Sequence, residues 1–563
     1  MTFDQSHPIF ALSDTLVDEL CELFPDEATY LGVDGFDDRW PDLSPAGAET
    51  AVARLRSMQL RVDEVPPPTN RWEGLAIEVA RDEMERQLDW FARGAHLRDL
   101  NSISSPVQGL RETFDHMKRD SAQAWDNIVE RLDLLQDVID GYVASLEHGR
   151  HAGMAVPIRQ VEEAARQADV SASGESYFLT LIDDFDGAGI DDASLRRQLV
   201  AGVEGARAAY GGLATYLRES YAQDAPNEDA VGPDRYRWRA QRVLGTDLDL
   251  HETYAWGWTE VASLRKRMNE VAQEIVPGGG IEDALEILKT DPARAAATPG
   301  ELVAFLDARI EEALERLSGT HFDVPDSIRT CDVKLAPPGG SLGAYYVGPS
   351  EDFARPGSVW WSIDRSKPVA LYDEVTTAYH EGFPGHHLQV GVQVSLRDRL
   401  SRIHRLWTWM PGSGEGWALY AERLMDELGY LDKPDYVFGF LSAQMLRACR
   451  VVIDIGSHLR LPIPDDQQFR PGEEWTYETA VEMLERYATQ DRANAESEVN
   501  RYLGWPGQAI AYKVGERTIL DLRREMKVRL GPEFDEKAFH QRLLEVGPLG
   551  LDLVRRFALS SAE

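Results

Sequence analysis

Three of the chain's 13 histidines and one glutamate fall within His380-Glu381-Gly382-Phe383-Pro384-Gly385-His386-His387. Imidazole and carboxylate are the side chains that hold Zn²⁺, and a glutamate beside such an ion can take a proton from water. A zinc-protease helix places its second histidine four residues after the first, so that both share one face. Here Pro384 stands at that position. On an unbroken helix His386 would lie about 240° around from His380, and His387 would lie on the same face but ~10 Å away. Pro384 cannot donate to the His380 carbonyl and its ring crowds it, while Gly382 and Gly385 supply backbone freedom. The spacing therefore predicts a metal site with a looped-out turn. His380 is one ligand, a histidine of the pair His386-His387 is the second, and Glu381 is the general base.

A third ligand is needed. It is sought on a second helix, at "GSGEGWALYAERLMDELG", where Gly412, Gly414 and Gly416 flank Glu415 at the entrance of an apolar helix. Glu422, seven residues on and on the same face, competes as ligand or as the acceptor that orients a ligand imidazole.

The elements that must position these residues are mostly helices. Trp125, Ile128, Leu132, Leu135, Val138 and Tyr142 form one apolar stripe, with acids and Arg131 assigned to the other face. Leu195, Leu199, Ala206, Tyr210, Leu213 and Leu217 form another, and the segments 249–273, 301–317, 414–429, 439–459 and 475–500 read likewise. Pro and Gly interrupt at 65–70, 276–280 and 335–364. Within the last of these, Ala344–Val347 and Ser358–Trp361 read as two short strands just before the motif helix. The expected fold is mainly α with a small β element. A soft boundary near 280 separates an all-helical half, 1–280, from a half bearing the chemistry, 281–563.

Composition narrows the partners. With 96 acidic against 59 basic residues the net charge is −37, which repels phosphate backbones and argues against nucleic acid. Three cysteines, Cys21, Cys331 and Cys449, offer neither a disulfide framework nor a zinc knuckle. The first residues lack a basic, apolar leader, and no later stretch reads as membrane-spanning, so a cytoplasmic, membrane-free setting is expected.

Four motifs in order, "YHEGFPGHHLQ", "GEGWALYAERL", "RACRVVIDIGSH" and "RYLGWPGQAIAYKVGE", closely resemble the DUF885 family, bacterial proteins grouped with gluzincin-type metallopeptidases. The resemblance is good over the second half of the chain. It implies a helical metallopeptidase-like fold, distantly similar to helical carboxypeptidases and oligopeptidases, with a deep central cleft. It also implies His380, His386 and Glu415 as Zn²⁺ ligands, His386 being favoured over His387 because it follows a glycine, and Glu381 as base. Near the Pro-Gly break, Tyr512 is the expected oxyanion donor, and Arg501 or Lys513 the group for a substrate carboxylate. In "RACRVVIDIGSH", Arg447, Arg450, Asp454 and His458 read as a structural salt bridge and an Asp-His hydrogen bond. The strand containing Tyr346 could take an extended peptide on its edge.

The function expected is zinc-dependent hydrolysis of short peptides by metal-activated water. An amidase or esterase acting on a small metabolite uses the same apparatus. A metal-stabilised binding protein would not need Glu381. A di-iron carboxylate site is set aside, because no histidine has a glutamate three residues before it.

Overall fold

The computed structural model describes residues 5–336 and 343–560. The fold is mainly α with a few short strands, as expected. The chain forms two compact units, one of residues 1–229 and 397–407, the other of 230–396 and 408–563. The division thus falls at Asp229/Ala230 rather than near 280. The helix Leu250–Ile275, placed in the first half from the sequence, packs along Pro434–Leu459 and belongs to the second unit.

In the first unit, helices α1 (Ala122–His151), α2 (Ile158–Ala172) and α3 (Ala193–Glu219) pack together. Both predicted stripes face this core, and all twelve of their residues are buried. Arg131 departs from expectation, for it is 0 % exposed rather than on the polar face. Its guanidinium donates to the carbonyl oxygens of Pro25, Phe36 and Arg39 and lies 4.9 Å from the Trp40 ring centre. Backbone acceptors and an aromatic face thereby replace water.

The second unit contains α4 (Leu250–Ile275), α5 (Pro299–Leu317), strands β1 (Asp332–Leu335), β2 (Gly343–Val347) and β3 (Ser358–Ser362), α6 (Glu374–Glu381), α7 (His386–Ser395), α8 (Pro411–Glu427), α9 (Pro434–Leu459), α10 (Arg492–Gly504) and α11 (Ala511–Leu530). The sheet order is β1-β3-β2, with β1 parallel and β2 antiparallel to β3. Both strands read from the sequence are present, and β1 was not foreseen. By length and composition α9 is apolar enough to cross a membrane, contrary to expectation, yet 78 % of that apolar window is buried inside the protein, as a core helix is. The segment 475–500 is two helices, Tyr477–Tyr487 and α10. Thr489 takes φ 57° between them, and the Asp491 side chain caps α10 by accepting from the Asn494 amide.

Helix α8 begins at Pro411, so Gly412, Gly414 and Gly416 lie inside it rather than before it. Their purpose is closeness. A Cβ on Gly416 would come within 2.5 Å of the Gly515 backbone, and one on Gly515 within 1.8 Å of the Gly412 carbonyl oxygen. Helices α8 and α11 cross almost backbone to backbone, which brings Glu415 and Tyr512 into one neighbourhood.

Candidate metal centre

Helix α6 is set by its two ends. At its start the Trp361 indole on β3 donates to Glu374 Oε2 at 2.7 Å, and Val375 and Ala378 are fully buried along its length. At its end the helix stops at Glu381, and the chain passes through a cis Phe383–Pro384 peptide before α7 starts at His386. The Pro384 carbonyl accepts from Trp417 Nε1 of α8 at 2.9 Å, and the His387 amide donates back to the Gly382 carbonyl at 3.1 Å. A Cβ on Gly385 would stand 1.9 Å from the His380 carbonyl oxygen, so only glycine lets the turn fold over the end of α6.

The looped turn brings His386, not His387, to His380. Nε2 of His380 and Nε2 of His386 lie 3.3 and 3.5 Å from Oε2 of Glu415. The three donor atoms are all within 4.8 Å of one another. Four donors at ~2.1 Å around a tetrahedral ion sit about 3.4 Å apart. Glu415 Oε2 is buried and has no hydrogen-bond partner of good geometry. Donor types, spacing and the orphaned oxygen all fit a divalent cation.

Glu422 does not join this set; it accepts from behind. Its Oε1 is 2.7 Å from His380 Nδ1, and its Oε2 accepts from the Thr376 hydroxyl at 2.5 Å. One glutamate on each side of the His380 ring, seven residues apart on α8, turns Nε2 toward the donor cluster. His387 points elsewhere, with Nδ1 3.1 Å from the Tyr346 hydroxyl and Nε2 2.8 Å from the Ile328 carbonyl. Burial lowers its pKa to about 4, which keeps the ring neutral.

Opposite charges meet at close range in the cluster. Burial alone would lower the His380 pKa, but the facing carboxylates of Glu415 and Glu422 and the charge of Glu381 override it and raise it to about 10. Burial acts to raise the Glu415 pKa, yet the two imidazoles hold the carboxyl well below its usual range. In Glu381 burial prevails, and the pKa rises against the pull of His380, His386 and Arg447. A carboxylate with raised proton affinity is suited to general-base work near neutrality.

Tyr512 stands beside this group, its ring 6.4 Å from that of His380 and inclined by 23°. Arg501 Nη2 donates to its hydroxyl at 3.3 Å. The substrate roles expected of three other residues are revised by their partners. Arg501 is taken up by Gln508 Oε1 at 2.7 Å, Glu498 at 3.3 Å and Tyr512. Lys513 is buried, with Nζ 2.5 Å from Glu516, 2.8 Å from Gln444 and 3.1 Å from Glu260, so it binds the protein to itself. The Tyr346 hydroxyl is engaged by His387, which leaves the β2 backbone, not this side chain, as the available contact.

The "RACRVVIDIGSH" motif on α9 carries a structural salt bridge, as expected, but not the expected Asp-His hydrogen bond. Asp454 Oδ2 accepts from the Tyr236 hydroxyl and the Gly507 amide, at 2.9 and 3.0 Å, and burial raises its pKa to about 8. His458 Nε2 hydrogen-bonds to the Tyr502 carbonyl at 3.0 Å and stands 3.5 Å from Asp454 Oδ1. Arg450 pairs with Glu498 at 2.7 Å. Sequence reasoning missed Glu498, and it missed Trp409, whose ring lies 5.5 Å from that of His386 and is 39 % exposed. Neither carries a motif signal, since each depends on a partner far along the chain.

Comparisons with known proteins place the fold. Two solved structures share it over 98 % of this chain. A protein described as a "putative lipoprotein" from Colwellia psychrerythraea matches over 98 % of its own length with TM-score 0.83 and 21 % identity. One described as a "putative lipoprotein of unknown function" from Shewanella oneidensis matches over 100 % of its own length with TM-score 0.73 and 17 % identity. No curated protein matches. A family profile matches residues 25–557, nearly the whole length, and the chain therefore belongs to the DUF885 family, described as a bacterial protein of unknown function.

Proposed function

We propose that this protein is a zinc-dependent hydrolase of short peptides, with His380, His386 and Glu415 as metal ligands. The observation that carries this reading is the convergence of two imidazole Nε2 atoms on a buried Glu415 oxygen that lacks a hydrogen bond, with Glu381 adjacent. A bound Zn²⁺ supplies Lewis acidity toward the scissile carbonyl and acidifies water. Glu381 takes the proton of the attacking water and returns it to the leaving amine. The Tyr512 hydroxyl, polarised by Arg501, donates to the oxygen that gains charge in the transition state. The bland alternative for Glu381, a structural carboxylate, is disfavoured because no described residue hydrogen-bonds to it.

Strand β2 favours a peptide over a small metabolite. It packs against α6 and, among the described residues, pairs with β3 on one side only, so an extended chain can add to its other edge. Three free cysteines suit the reducing, cytoplasmic setting that this reading includes.

The test is metal analysis together with turnover of a short-peptide panel. Wild type should hold about one zinc per chain, and Glu381→Gln should keep the zinc while kcat falls at least ~100-fold. Absence of metal, or unchanged turnover in Glu381→Gln, overturns the reading. His386→Ala should lose zinc, whereas His387→Ala should retain it.

A further inference from the structure

Next to the proposed metal centre lies a cluster of cations without enough anions to match it. The guanidinium carbons of Arg450, Arg447 and Arg501 lie 4.7, 5.9 and 5.9 Å from the centre of the Tyr512 ring. Glu498 is the one carboxylate paired with any of the three among the described residues, and it serves both Arg450 and Arg501. Arg447 has no ion pair. Its single hydrogen bond runs from Nη1 to the Ala443 carbonyl of its own helix, and its Nε is buried without a partner. Arg450, 5 % exposed, has Nη1 buried and unpartnered as well. Arg447 and Arg450 are three apart on α9 and so share a face.

A buried guanidinium donor left unmet, as in Arg450 and at Nε of the half-buried Arg447, is costly unless a ligand completes the group, and the fork geometry of arginine matches a carboxylate. We propose, resting on the peptidase reading above, that Arg447 and the free Nη1 of Arg450 bind the C-terminal carboxylate of the substrate, which makes the enzyme a C-terminal exopeptidase. Reach sets how much is released. The Tyr512 ring adjoins both the His380 ring, at 6.4 Å, and the guanidiniums, so the carboxylate lies within roughly 12 Å of the metal ligands, the span of one to three extended residues. This assignment replaces Arg501 and Lys513, whose donors are already taken, as the carboxylate site.

The experiment compares N-acetylated tetrapeptides of mixed sequence, each as free acid and as C-terminal amide. Binding is measured calorimetrically to zinc-loaded Glu381→Gln, so the readout does not depend on turnover, and wild-type products are identified by mass. The acids should bind about 10- to 100-fold tighter than their amides, the size of one or two charge-assisted hydrogen bonds. Arg447→Gln should erase that difference and Arg447→Lys should restore part of it. Wild type should release fragments of one to three residues from the C-terminus. Equal binding of acid and amide, binding of neither, or cleavage of amides at internal bonds overturns the inference. The last of these outcomes leaves the peptidase reading standing, whereas a metal-free protein removes that reading first.

Discussion

Glu422 decides which way the His380 ring faces. Its carboxylate holds Nδ1 at 2.7 Å while the Thr376 hydroxyl fixes its other oxygen, so Nε2 is left aimed at Glu415. A carboxylate behind a ligand imidazole makes the ring a better donor, and its removal typically weakens metal binding 10- to 100-fold. Glu422→Gln should therefore lower zinc affinity by about that factor in a competition titration with a chromophoric chelator, with little change in fold by circular dichroism. At this scale the sequence was legible where grouping depends on residue type and local spacing, as in the convergence of His380 and Glu415. It was opaque where a charge is defined by its partner. Lys513 reads as a ligand-binding cation until Glu260 and Gln444, far away in the chain, are seen around it.

Among the elements, the turn between α6 and α7 carries the most consequence. Its backbone crosses the end of α6 so closely that Gly385→Ala would place a methyl group 1.9 Å from the His380 carbonyl oxygen and 2.4 Å from that of Tyr379. Neither atom belongs to a flexible side chain, so the turn itself must move. We expect Gly385→Ala to cost about 3 kcal/mol or more in chemical denaturation and to abolish zinc binding, because His386 leaves the cluster. Gly300→Ala on α5, where nothing lies within 4 Å, should be neutral or stabilising by up to about 1 kcal/mol. The break at Pro384 was legible, since proline and two glycines leave few alternatives. The glycines of α8 were misread as an entrance loop. Gly416 lets α11 approach and Gly414 makes room for the Trp409 ring, and a one-dimensional pattern contains no information about which neighbour will come so close.

For the whole molecule, the proposed metal site links occupancy to stability. A ligand held only by the folded state, at a thousand times its dissociation constant, adds about 4 kcal/mol. Zinc bound as proposed, by residues from α6, α7 and α8, would tie three elements of the second unit together, so chelation with EDTA should lower its Tm by at least about 5 °C. Readdition of zinc should restore it, and His386→Ala should melt at the chelated value with or without metal. Helical content was legible throughout from apolar periodicity, while the partition into units was not, because it rests on contacts between distant segments such as α4 and α9. That partition bears on biosynthesis. The first unit is completed by residues 397–407, where the Ile403 amide donates to the Ser13 hydroxyl at 2.8 Å and Arg402 pairs with Asp18 at 2.7 Å. On the ribosome this piece emerges after His380 and His386 and before Glu415. The first unit must therefore wait, unfinished, until most of the candidate metal centre has been translated, and the two units cannot mature strictly one after the other.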